Sequence, residues 1–189
     1  MARFLFARTL MMFSALGFIG AASAAAGTRE SVREVLQARH PIAMTAEDWR
    51  KLGADVEARL VEAAGDPSLT YGARERAMNA LAALGGAQAK EFLRQTIGRA
   101  RTPPELLSSA VVAYARGFGR SDAADVQSVS VPLLENPDWG VRLGAARALG
   151  EVGTKGAFDA LRARQPRETH PAVQNALRAA LSKAEIEKR

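Results

Sequence analysis

The chain repeats itself, and repetition at a fixed spacing restricts the fold more than any single motif does. The segment Val141 to Gly153, VRLGAARALGEVG, slid back by 68 residues, lands on Ala73 to Gly85. Arg74 then meets Arg142, Ala77 meets Ala145, Ala80 meets Ala148, Leu81 meets Leu149 and Gly85 meets Gly153. The register continues past the glycine, where Ala89, Glu91, Leu93 and Arg94 meet Ala157, Asp159, Leu161 and Arg162. A copy lies between these two, with Leu106, Ala110, Val111, Ala113 and Tyr114 in the places of Ala73, Ala77, Met78, Ala80 and Leu81. A partial copy starts at His170-Pro171 and sets Val173, Leu177, Ala180 and Leu181 where Val141, Ala145, Ala148 and Leu149 stand.

Each copy reads as two helices. Apolar residues recur at three- and four-residue steps in the first, and Ala77, Ala110 and Ala145 are small enough to let neighbouring helices approach. In the second, Ala89, Phe92, Leu93 and Ile97 form an apolar stripe, with Glu91, Arg94, Gln95 and Arg99 largely off it. Gly85-Gly86, Gly117-Phe118-Gly119 and Gly150 to Gly156 read as the turns, and Asp66-Pro67, Pro103-Pro104 and Asn136-Pro137-Asp138 as loops where proline opens the next helix. Strand patterning is nearly absent, since the valine-bearing run Val126 to Val131 is interrupted by serine and stopped at Pro132. The expectation is an all-α chain, with a degenerate copy at 45–65, copies at 66–101, 102–136 and 137–169, and a partial cap at 170–186. Thr45 should cap the first helix of the degenerate copy. Residues 27–44 read as a capping helix or an arm.

The first 26 residues stand apart from the repeats. Arg3 and Arg8 precede an uncharged apolar run from Thr9 to Ala22, and small residues follow, which is the order of a secretory signal peptide. The chain is therefore expected to be exported, to the periplasm, with cleavage after Ala24 or Ala26. Membrane attachment would come only through an uncleaved segment. Cleavage removes two arginines and no acid, taking the formal charge from +6 to +4.

At Val141-Arg142-x-x-Ala145-Ala146-x-Ala148-Leu149-Gly150-x-x-Gly153, after Asn136-Pro137-Asp138, the sequence resembles the HEAT repeats, in the short bacterial form also found in phycobilisome lyases. The copy at 102–136 departs from the pattern, with Leu107 where an arginine belongs. The resemblance implies an α-solenoid, a right-handed superhelix of antiparallel helix pairs with about four repeats and with the second helices toward a concave face. It also implies that Asp138, Arg142 and Arg74 tie successive repeats together. It implies no common chemistry, because function on such a fold resides in grafted sites.

The toolkit for chemistry is thin. The chain has no cysteine and two histidines, His40 and His170, so thiolate chemistry and a three-histidine zinc site are excluded. Neither a nucleophile elbow nor a His-Glu-x-x-His helix occurs. Gly150 to Gly156 has the look of a phosphate loop but lacks its spacing and preceding strand. No metal, cofactor or catalytic residue is assigned, and the chain reads as a non-enzymatic scaffold.

Glu91 with Arg94 and Asp159 with Arg162 are i,i+3 acid–base pairs at equivalent places on second helices, either a solvated face or a polar recognition ridge. Trp139 is an exposed anchor or a cover for a helix junction. The formal charge alternates along the copies, −2, +3, −2, +2 and +2 from residue 45 onward, which argues against the continuous basic stripe of a nucleic-acid binder. The expected partner is a protein or peptide on the concave face. A cofactor lyase or chaperone-like role, and nucleic-acid binding, are the alternatives.

Overall fold

A computed structural model describes residues 31–38 and 43–186. Residues 1–26, where an export signal is expected, and His40 lie outside the described residues. Within them every regular element is a helix, and no strand occurs. α1 spans 31–37. It is followed by α2 (Ala46–Arg50), α3 (Val56–Gly65), α4 (Tyr71–Leu84), α5 (Ala87–Gly98), α6 (Pro104–Phe118), α7 (Ala123–Ser130), α8 (Trp139–Val152), α9 (Lys155–Arg164) and α10 (Pro171–Ile186). Short 3₁₀ turns at Pro132–Glu135 and Gln165–Arg167 follow α7 and α9.

Two layers result, as an α-solenoid requires. The first helices α4, α6, α8 and α10 pack one against the next, while α3, α5, α7 and α9 form the second layer behind them. Ala77, Ala110, Ala145, Leu81, Leu149, Val173 and Leu177 are fully buried along this seam, where the repeat register places them. Approach between first helices is close enough to select side chains. A Cβ on Gly144 would lie 2.7 Å from Ser108 Oγ and 3.1 Å from Ser108 Cα, so α6 and α8 meet backbone to backbone there.

Local signals explain the helix ends. Thr70, Asp138 and Thr154 accept from the backbone N–H groups of Ala73, Val141 and Ala157, filling donors that a helix start leaves open. Thr45 and Asp48 form a reciprocal capping box on α2. Gly85 and Gly153, 68 residues apart, end α4 and α8 in the left-handed region at φ 67°, which glycine enters without steric cost. Two expected turn glycines lie elsewhere: Gly117 and Gly150 sit inside α6 and α8, whose apolar faces extend one further turn.

The segment before the repeats packs on them. Val32 and Leu36 of α1 are buried in the main core with Trp49 of α2, and Arg76 of α4 donates to the Leu36 carbonyl. Residues 31–37 therefore act as a cap on the first complete repeat.

Candidate functional site

Of the recurrent acid–base residues on the second helices, Arg94 ties one repeat to the next, while the others pair within their own helices. Arg94 is not engaged by Glu91, as the i,i+3 spacing suggests. It reaches from α5 to Asp125 of α7, with Nε 3.1 Å from Oδ2 and Nη2 3.1 Å from Oδ1, while Glu91 accepts from Gln95. Tyr114, fully buried on α6, donates to the same Asp125 at 2.5 Å. Hydrogen bonds from Arg94 and then Tyr114 hold the Asp125 carboxyl below its ordinary range, and burial followed by the Asp125 carboxylate pushes the Tyr114 phenol up. Lys90 bridges to Asp122 at 2.6 Å, Glu57 of α3 accepts from Ala89 N–H, and Thr154 donates to Gln127. Every junction in this layer thus has a polar tie across it. Asp159 and Arg162 do pair, at 3.0 Å, and Lys155 adds a second cation at 2.7 Å.

Of the residues expected to tie repeats, the two arginines reach beyond their own helices and Asp138 does not. Arg74 donates to the Ala64 carbonyl at the end of α3, and Arg142 to the carbonyls of Asn136 and Pro137. Asp138 caps its own helix through Val141 N–H and is not hydrogen-bonded to Arg142. Arg142 instead grips Glu168, in the loop before α10, at 2.8 and 3.0 Å. That carboxylate also accepts from Arg164 and from the N–H groups of Thr169 and His170. Arg142 above all, opposed only by burial, drives the Glu168 carboxyl far below the usual carboxylate range. The repeat register sets Glu168 on Asn136, a neutral residue in the loop before α8, so recurrence alone does not mark it as the partner of Arg142.

The opposite layer carries a different surface. A groove of about 530 Å³ runs across α6, α8 and α10. Its floor is made of alanines, among them Ala148, Ala176 and Ala180, with Val112 and Leu143 on its walls. Arg116, Arg147, Lys183 and Glu151 border it, all exposed. Arg116 donates weakly to Asn79, at 3.4 Å, and none of the four borders takes part in an ion pair among the described residues. Leu143, Arg147 and Glu151 occupy the positions that the repeat pattern leaves free, so the signal for this groove was in the x positions. The groove lies on the first helices, and not on the second-helix face to which the resemblance pointed. Glu91, Arg94, Asp159 and Arg162 do not line it.

Trp139 opens α8 at the end opposite the cations. It is 46% exposed and stacks on His170, ring centroids 4.1 Å apart and planes 6° from parallel. Tyr71, 53% exposed, opens α4 at the equivalent position two copies earlier. Trp49, by contrast, is buried at the junction of α2 with the repeats. Among the described residues no group of three or more His, Asp or Glu side chains could hold a metal ion, and no helix is long and apolar enough to cross a membrane.

Comparisons with known proteins agree with this architecture. Residues 105–182 match the family model of HEAT repeats. The chain is 29% identical over 160 residues to the bilin biosynthesis protein PecF of Nostoc sp. (strain PCC 7120), covering 79% of this chain and 91% of that one. Among solved structures it is similar to human deoxyhypusine hydroxylase in complex with glycerol, with a TM-score of 0.54 and 19% identity. The match covers 88% of this chain and 66% of the hydroxylase, and at that identity the likeness is one of fold. These relatives correct the expectation of a non-enzymatic chain. One is a biosynthesis protein and the other a hydroxylase, so a chain accounted for by repeats is not thereby excluded from chemistry. The matched model, the helix-pair register that runs beyond it and the related sequence agree on an architecture of HEAT-like repeats, with residues 105–182 matching the family itself.

Proposed function

We propose that this helical-repeat scaffold holds a segment of a partner protein in the groove across α6, α8 and α10. The observation that supports this reading is a groove with an apolar floor whose bordering cations take part in no ion pair among the described residues, on a fold that recognises partners through an extended surface. Binding sites combine apolar lining with a few polar groups that fix orientation, and Arg116, Arg147, Glu151 and Lys183 are placed to act in that way. The proposed setting is the cell envelope, on the strength of the signal-peptide order of residues 1–26. Mass measurement of the mature protein tests export, with Ala25 or Gly27 expected as the first residue.

A photo-crosslinking side chain placed at Leu143, and separately at Arg162, tests the groove. Adducts are expected at position 143 and not at 162. Adducts at 162 alone, or equally at both, would contradict the assignment. A second reading, participation in bilin-related chemistry, is favoured by one observation, the 29% identity with a bilin biosynthesis protein over 91% of its length. Absorbance titration of the purified chain with biliverdin tests it, a shifted and saturable spectrum being the expected result.

A further inference from the structure

Resting on the groove reading, we infer that its occupant is an acidic amphipathic helix of a partner protein. Charge complementarity supplies the first argument. The second-helix surface neutralises its cations locally, Lys90 on Asp122, Arg94 on Asp125 and Lys155 with Arg162 on Asp159. The groove does not among the described residues: Arg116, Arg147 and Lys183 face one bordering carboxylate there, Glu151. This excess favours a ligand carrying carboxylates, and fields of this kind steer association and exclude partners of like charge.

The arrangement of the lining supplies the second argument. The three cations stand on three successive first helices, Arg116 and Lys183 in the last turns of α6 and α10 and Arg147 in the C-terminal half of α8. The cations therefore border the groove at each of the three helices that it crosses. Neighbouring helix axes in such a stack lie roughly 8–10 Å apart. Seven residues of an α-helix rise about 10.5 Å, so a helix lying along the stack can set carboxylates opposite successive repeats at about i and i+7. Its apolar stripe then rests on Ala148, Ala176 and Ala180, whose small side chains admit close helix packing.

The test is selection of random 16-residue peptides displayed on phage against the purified chain, repeated against Arg147→Glu with Lys183→Glu and against Ala176→Trp. Enriched peptides are expected to carry excess Asp and Glu beside an apolar stripe at three- and four-residue steps. Synthetic copies should lose at least tenfold in affinity for each variant. Enrichment of neutral or basic peptides that Ala176→Trp still blocks would overturn the acidic partner and leave the groove in place. Peptides insensitive to Ala176→Trp would overturn the groove itself. If no peptide is enriched while biliverdin binds and is displaced by Ala176→Trp, the occupant is a pigment and the inference falls. Far-ultraviolet circular dichroism of each variant, expected to match the parent, separates lost binding from lost folding.

Discussion

Arg142 of α8 closes a two-point ion pair on the fully buried carboxylate of Glu168, and through it the last described helix is locked to the complete repeat before it. Arg164 of α9 joins the same carboxylate, so α8, α9 and the loop that begins α10 share one anchor. Truncating one partner of a buried pair strands the other. Glu168→Ala should therefore cost about 3–5 kcal/mol, read as a lowered denaturation midpoint with an unchanged urea slope. A loss below about 1 kcal/mol would show that water relieves the two arginines.

The same carboxylate sets an acid limit. Its pKa is depressed in the folded state against an unfolded value of about 4.3, so its contribution is present above that value and is lost as pH falls through the folded pKa. Asp125, Asp66 and Asp159, also lowered, act in the same direction. Stability should decline from roughly pH 5 downward, and less steeply in Glu168→Gln. Equal slopes for parent and variant in urea titrations across this range would remove Glu168 from the account.

Leu149→Asp should unfold the array at ordinary temperature. Leu149 is fully buried between α8 and its neighbours, and an unpaired charge there has no partner to offset its desolvation. Helical circular dichroism is the measurement, and retention of more than half the parent signal would contradict the packing described.

Arg94 and Arg147 make a contrasting pair. Arg94→Ala should lower the melting temperature slightly, since its pair with Asp125 is half exposed, and should leave groove binding unchanged. Arg147→Ala should leave the melting temperature within a degree or two and weaken binding. Interchanged effects would mean that the ligand sits on the second helices.

Gly144→Val should cost about 1–3 kcal/mol, because the new side chain meets the Ser108 backbone rather than a flexible tip. Thermal melting of the single variant is sufficient, and an unchanged midpoint would show that α6 and α8 can separate without penalty.

Much of the helix-pair layout was legible in the sequence because repetition turns one good motif into several aligned ones. Gly85 and Gly153 share a conformation, Ala77 and Ala145 share a seam, and Arg74 and Arg142 both bind carbonyls just upstream. The partners of the charged residues were not legible. Helical spacing proposes Glu91 for Arg94, but a long arginine at the edge of a stack can equally reach the next repeat, and Asp125 is held there by Tyr114. Glu168 escaped notice because nothing in its linear surroundings marks it as buried. The groove escaped notice for the converse reason. Its border residues Leu143, Arg147 and Glu151 stand where the repeat sets no constraint, and its floor residues Ala148 and Ala180 recur as seam positions, so neither group marks a groove in the linear pattern.

The division of charge between the two layers has a consequence for how such a chain can change. Cations that bind carboxylates of the next repeat are coupled to folding, so altering one demands a compensating change elsewhere. Arg147 and Glu151 carry no such coupling among the described residues. A lineage can therefore exchange ligands by substitutions confined to the outer positions of the first helices, one repeat at a time, while the layer behind preserves the spacing between them.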